Sequence, residues 1–214
     1  MVKLQDLLTF NKMVYSSDIK ERHQKKMNSA EILISEVSIP HKPFPENASR
    51  KTRNELQWLL NYNNGVIDKQ VSKDGDDVKK VFEKYCKDNN LKYDKEYYSK
   101  ILKESQRIIL KLKYHYNRPR PYQIAEYYGI SDFKIHNLDS AKTPSYPSGH
   151  ALQGRLIGLI LTDKDPEHQN EYMAVSQRIS DSRIMARAHY PSDKEYGEKL
   201  ADELYDQIIK WKKH

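Results

Sequence analysis

The chain has 214 residues, enough for one domain with a proper core and an N-terminal extension. Charged residues make up 31%, mean hydropathy is −0.92, and no apolar run approaches the roughly 18 residues that a membrane span needs. The first residues, MVKLQDLLTFNKMVY, lack the apolar core of a signal peptide, and a single cysteine, Cys86, excludes an intramolecular disulfide framework, so a cytoplasmic protein is expected.

The net charge of +7, from 37 basic and 30 acidic residues, permits a polyanionic partner. The lysines are mixed with Glu and Asp, however, and no pattern such as paired zinc ligands marks a nucleic-acid reader, so no nucleic-acid partner is expected.

Apolar residues recur at three- and four-residue steps, which predicts an all-α fold. Residues 1–48 resist reading, and Pro40, Pro43 and Pro45 mark a break, so an extension over 1–48 is expected before a helical domain over 49–214. A helix is predicted over 50–63, with Leu56, Leu59 and Leu60 inward, and a second from Asp77 to Asp88, opened by Asp76-Asp77. A third begins near Asp94 and carries Tyr98, Ile101, Leu102, Ile108, Ile109 and Leu112 on one stripe. It must end between Asn117 and Arg120, because Pro119 and Pro121 remove backbone donors. After a short helix at 122–128, residues 129–147 read as irregular, and loops of that length in a compact domain are commonly functional. A very apolar helix follows from Ser148 to Leu161 and forms the centre of the expected bundle. Two more run over 166–186 and 193–211, the last with Leu200, Leu204, Ile208 and Trp211 inward.

Three short stretches carry chemistry. Lys111 and Arg118 lie seven residues apart, nearly two helical turns, and so project from one face. Arg118 stands where the helix breaks and can grip phosphate oxygens bidentately. Taken alone, Lys111 is better read as a solvated surface cation, and its coincidence with the other two stretches reverses that reading. In the second stretch Ser148 is a good N-cap, Gly149 permits close approach of the backbone to a ligand, and the free amides of the first turn attract an anion. His150 is placed there to protonate a leaving oxygen, or else simply to cap the helix. Gly154 and Gly158 indicate close packing against another helix.

The third stretch holds Arg183, His189 and Asp193. A neutral imidazole attacks through one ring nitrogen only if the other carries the proton, and a carboxylate accepting that N–H fixes the tautomer. Pro191 argues against a continuous helix from His189 to Asp193, so His189 is expected on a loop and Asp193 at the start of the last helix. A metal site is the rival reading of this pair. It lacks further ligands at characteristic spacing, and the neighbouring cations would repel a metal ion.

Lys, six residues, Arg-Pro; then Pro-Ser-Gly-His; then Ser-Arg, five residues, His, three residues, Asp: this order resembles the signature of the type 2 phosphatidic-acid phosphatase and vanadium haloperoxidase superfamily. It covers residues 95–200, matching Lys111, Arg118, Pro119, Pro147, Ser148, Gly149, His150, Ser182, Arg183, His189 and Asp193. Within it the chain is most similar to the soluble bacterial class A acid phosphatases, from which it departs at Ala151 and in lacking a signal peptide. The resemblance implies an all-α bundle and a phosphomonoester hydrolase acting on a small phosphorylated substrate. His189 would form a phosphohistidine, His150 would be the general acid, and Asp193 would orient His189. Lys111, Arg118, Ser148, Gly149 and Arg183 would hold the phosphoryl oxygens, with no metal or other cofactor. The alternatives within the resemblance are a haloperoxidase, which would bind vanadate, and a lipid or isoprenoid phosphate phosphatase. Outside it stands a catalytically silent phosphate-binding protein.

Overall fold

The computed structural model describes residues 4–29, 39 and 41–212, and among these the chain is all-α, with no strand. Pro40 and the side chain of Trp211 lie outside the described residues. Two short helices come first, α1 (Leu4–Asn11) and α2 (Glu21–Met27). Both are short, and α2 is polar (ERHQKKM); they dock on the body: Phe10 and Met27 are buried, and Asn47 donates to the carbonyls of Phe10 and Met13.

Next come α3 (Arg50–Asn61), α4 (Lys69–Asp74) and α5 (Val78–Asp88). Ser49, Asp68 and Asp77 cap their first turns, each accepting from an amide three residues on. The α3 helix ends two residues earlier than the sequence predicts, because Asn63 and Asn64 take the left-handed conformation. Leu56 and Leu59 are buried and Leu60 is half-buried.

The 22-residue helix α6 (Lys95–Tyr116) runs from an Asp94 cap to a left-handed Asn117, directly before the Arg118-Pro119-Arg120-Pro121 run. The short α7 (Pro121–Ile124) follows, then an irregular segment to α8 (Gly149–Lys164). The chain closes with α9 (Gln169–Met185) and α10 (Pro191–Lys212).

Helix α8 is the centre of the bundle, as its composition predicts. Leu152, Leu156, Ile157 and Ile160 are fully buried among α5, α6, α9 and α10, each such side chain stabilising by roughly 2 kcal/mol. Gly154 and Gly158 face α9: a Cβ on Gly154 would stand 3.3 Å from Ile179, and one on Gly158 3.3 Å from Met173 Sδ. The pair therefore sets the close approach of these two helices. Among the described residues, no helix is long and apolar enough to cross a membrane.

Candidate active site

The C-terminal end of α6, the N-terminal end of α8 and the turn between α9 and α10 converge on one cavity of about 270 Å³. Its floor is formed by Lys113, Arg120, Gly149, His150 and His189.

His189 lies in the turn after α9, as its sequence context predicts. That turn reverses through Arg187, a non-glycine residue at φ 53°. The left-handed conformation costs roughly 1–2 kcal/mol. Its guanidinium donates to the carbonyls of Leu60, Gly65 and Lys134, which ties the turn to the body. The His189 side chain is 5% exposed, and its Nδ1 is 3.2 Å from Oδ2 of Asp193. Asp193 sits in the first turn of α10 and also accepts from the Tyr190 amide at 3.0 Å, closing the helix start. On the other side of the ring, Arg120 Nη1 is 3.1 Å from Nε2 of His189. A guanidinium can only donate, and the carboxylate can only accept. Both neighbours therefore select the same neutral tautomer, with the proton on Nδ1 and a lone pair on Nε2.

The charges follow from burial. Burial, then the charge of Arg120, holds His189 well below the ordinary histidine pKa, against the pull of Asp193. Burial alone would raise Asp193, but Arg118 and the hydrogen bonds from His189 and Ser145 overcome it and hold the carboxyl below its ordinary range. Lys113 is buried, with Nζ donating to the Pro144 carbonyl at 2.5 Å and to that of Ser145 at 3.3 Å. Burial and the nearby Arg120 hold its pKa well below that of a free lysine. Burial brings Arg120 down to about 10, and its guanidinium is fixed by the Thr143 and Ala188 carbonyls at 2.8 and 2.6 Å.

Ser148 caps α8, accepting from the Ala151 amide, and Gly149 stands at the cavity wall. A Cβ on Gly149 would come within 3.2 Å of Ile109. The amides of this first turn have no acceptor within the helix and suit an anion. His150 is one residue further on, with Nε2 3.0 Å from the Asp76 carbonyl and 3.5 Å from its Oδ1. Burial, then the charge of Arg183, lowers His150 to about 4, opposed by Asp76.

Of the residues expected in the site, His189, His150 and Gly149 line the cavity, while Asp193 and Ser148 are buried behind it, Asp193 against His189 and Ser148 as the cap of α8. None of the three expected cations lines the cavity. Lys111 is exposed and lines no part of the cavity. Arg118 is fully buried beneath it: Nη1 meets Asp193 at 2.5 Å and Ser192 at 2.8 Å, and Nη2 meets Glu55 at 3.1 Å. The positions that these two were expected to fill belong to Lys113 and Arg120, two residues further along. Arg183 is buried behind the wall, where Nη1 pairs with Asp76 at 2.5 Å.

Sequence reasoning missed five residues. Lys113-x6-Arg120-Pro121 repeats the spacing of Lys111-x6-Arg118-Pro119, and only the helical phase of Lys113, one turn after Ile109, could have separated the two. Asp76 was read only as a helix opener. Glu55 and Ser145 carried no signal of their own. Among the described residues, no cluster of His, Cys, Asp or Glu could hold a metal ion.

Known proteins resemble this chain both in sequence and in fold. Residues 101–198 match the model of the PAP2 superfamily. The non-specific acid phosphatase of Providencia stuartii is 32% identical over 82 residues, 38% of this chain and 32% of that protein. That of Salmonella typhimurium is 32% identical over 85 residues, 40% of this chain and 33% of that protein. The acid phosphatase of Zymomonas mobilis is 33% identical over 85 residues, 40% of this chain and 31% of that one. The matched part of the chain thus spans about a third of the length of these relatives. In fold, a bacterial vanadium-dependent iodoperoxidase superposes with a TM-score of 0.60 at 15% identity, over 82% of this chain and 52% of the other. Over residues 101–198, the segment that carries Lys113, Arg120, His150, His189 and Asp193, the chain is thus similar to the PAP2 superfamily, and it shares the helical fold of the iodoperoxidase.

Proposed function

We propose that the chain is a phosphomonoester hydrolase that works through a phosphohistidine on His189 and needs no metal ion. The observation that carries this reading is His189 itself, held between Asp193 on Nδ1 and Arg120 on Nε2 at the floor of a cationic cavity. A phosphomonoester carries about two negative charges at neutral pH. Lys113 and Arg120 supply matching charge in a site largely withdrawn from water, where preorganised charges stabilise a transferring phosphoryl group most strongly.

The Nε2 lone pair attacks phosphorus and the bond to the leaving oxygen breaks. Asp193 stabilises the positive charge that develops on the ring, and His150 supplies a proton to the departing oxygen. In the neutral His150 ring, Nε2–H donates to the Asp76 carbonyl, so the proton that His150 gains and delivers resides on Nδ1. Water, activated by the same imidazole, then cleaves the phosphohistidine and releases orthophosphate. Arg183 acts indirectly, by holding Asp76 against His150.

The test is to quench the enzyme in alkali after brief mixing with a phosphate-labelled aryl ester and to map the acid-labile label. Label on His189, lost in His189→Ala together with turnover, is expected. Steady turnover by His189→Ala would remove the assignment.

A further inference from the structure

We propose that the cavity contains a second anion subsite, built by Arg22 and Lys26 of α2, which selects substrates whose leaving group itself carries a phosphate. This rests on the phosphatase reading and names its substrate class. Both residues line the cavity that holds His150 and His189, although they come from a part of the chain outside the matched segment.

Lys113 and Arg120 already provide two charges at the floor for the transferring group. Arg22 and Lys26 are exposed at the rim and sit one helical turn apart, so both face the same way. Like charges at this spacing destabilise a helix, and among the described residues no carboxylate is within ion-pair distance of either. By contrast Lys25, on a different face of the same helix, is paired with Glu21 at 2.7 Å. Lys142, across the rim, is already paired with Asp139 at 2.5 Å. Two cations on one face, directed to a cavity and in ion-pair contact with no carboxylate among the described residues, suit an anion from outside.

The rim is also built to stay in place. His23, between the two cations, is buried, and its Nδ1 is 2.7 Å from the Tyr114 hydroxyl on α6, the helix that carries Lys113. Arg22 Nε is in turn 3.3 Å from His23 Nε2. His150 must stand beside the leaving oxygen, so a group attached to that oxygen extends from the floor toward the rim. Lys26, Gln106 and Gln153 also border an adjoining hollow of about 480 Å³, which leaves room beyond the second phosphate. The wider groove on the other side of His150, about 1020 Å³, mixes lysines with Asp74, Asp76, Asp77 and Asp88, and offers no such excess of positive charge.

The experiment compares the binding of methylenediphosphonate and methylphosphonate by calorimetry, and kcat/KM for pyrophosphate and p-nitrophenyl phosphate. The proteins are the wild type, an Arg22→Ala/Lys26→Ala variant and a Lys95→Ala/Lys100→Ala control that removes the same charge far from the cavity. The rim variant should lose about tenfold more affinity for the diphosphonate than for the monophosphonate, as expected for lost charge-assisted contacts. Its preference for pyrophosphate over the aryl ester should fall in parallel, while the control keeps both ratios. Equal losses on both phosphonates, no loss on either, or the same change in the control would overturn the subsite. If the wild type hydrolysed neither ester nor anhydride, the phosphatase reading would fail by itself, and the phosphonate comparison would still decide the subsite.

Discussion

Arg118 Nη1 stands 2.5 Å from Oδ1 of Asp193, while Oδ2 of the same carboxylate faces His189 Nδ1 at 3.2 Å. One carboxylate thus bridges a guanidinium and the proposed nucleophile, and neither oxygen reaches solvent. Arg118 also pairs with Glu55 and lies 3.7 Å from the centre of the Tyr190 ring. Arg118→Met would leave Glu55 and Asp193 buried without their cation, at a cost of about 3–5 kcal/mol. Urea unfolding should show this loss, and the remaining folded enzyme should turn over slowly because Asp193 no longer holds one orientation. An unfolding midpoint equal to wild type would show that Arg118 is not the anchor of this pair.

The two registers of the Lys-x6-Arg-Pro pattern can be separated directly. Lys113→Met should reduce kcat/KM strongly, since it removes a buried charge from the cavity floor. Lys111→Met, on the exposed face of α6, should leave kcat/KM within about twofold of wild type, as surface substitutions usually do. Equal losses in the two variants would restore Lys111 to the site.

Much of this molecule is legible in its sequence, and the failures share a cause. Long helices with apolar stripes, such as α6 and α10, and the caps at Asp77, Asp94 and Ser148 follow from local rules. His189 on a turn with Asp193 at the next helix start follows from Pro191. Residues whose importance arises only in three dimensions escape such rules. Glu55 lies more than 130 positions before the Ser192 amide that it accepts from, Asp76 meets His150 from a different helix pair, and α2 is too short and polar to announce itself. The misplaced cations are a different matter: the Arg118-Pro119-Arg120-Pro121 repeat satisfies the pattern twice, and only the three-dimensional placement, Lys111 exposed but Lys113 and Arg120 at the cavity, chooses between the two.

The pH dependence separates the two histidines. His189 titrates well below neutrality, so attack should remain possible throughout the mildly acidic and neutral range. His150 titrates at about 4 in the free protein, so the fraction carrying the proton needed by a leaving group falls as pH rises. With alkyl phosphates, kcat/KM should therefore decline from pH 5 to 8 more steeply than with activated aryl phosphates, which need little protonation. His150→Ala should remove that difference. Parallel pH profiles on both substrates in the wild type would assign His150 to phosphate binding instead.

Stability should fall on the acid side. His150, His189 and Asp193 all have folded-state pKa values below their unfolded ones, so the unfolded chain binds more protons and acid favours it. The contribution of the histidines is complete above about 6.5. For His150 it is lost as pH falls from there toward about 4, and Asp193 adds its loss below the ordinary aspartate range. Thermal melts at pH 7 and pH 5 should show a clear drop for wild type and a smaller one for His150→Gln. Equal drops would mean that His150 is not held neutral by the fold.

The Ser148 amide donates to the main-chain carbonyl of Asp193 at 2.9 Å, and a Cβ on Gly197 would stand 2.5 Å from the Ser148 carbonyl. The first turns of α8 and α10 are thus joined backbone to backbone with no space for a side chain between them. The amides at the cavity wall and the carboxylate behind His189 therefore belong to one cooperative unit, which opens as a whole or not at all. In native-state hydrogen exchange, the amides of Ser148 and of the first turn of α10 should open with the same free energy. Denaturant should abolish activity at the concentration that frees that turn, without passing through a form that binds phosphate but cannot cleave it.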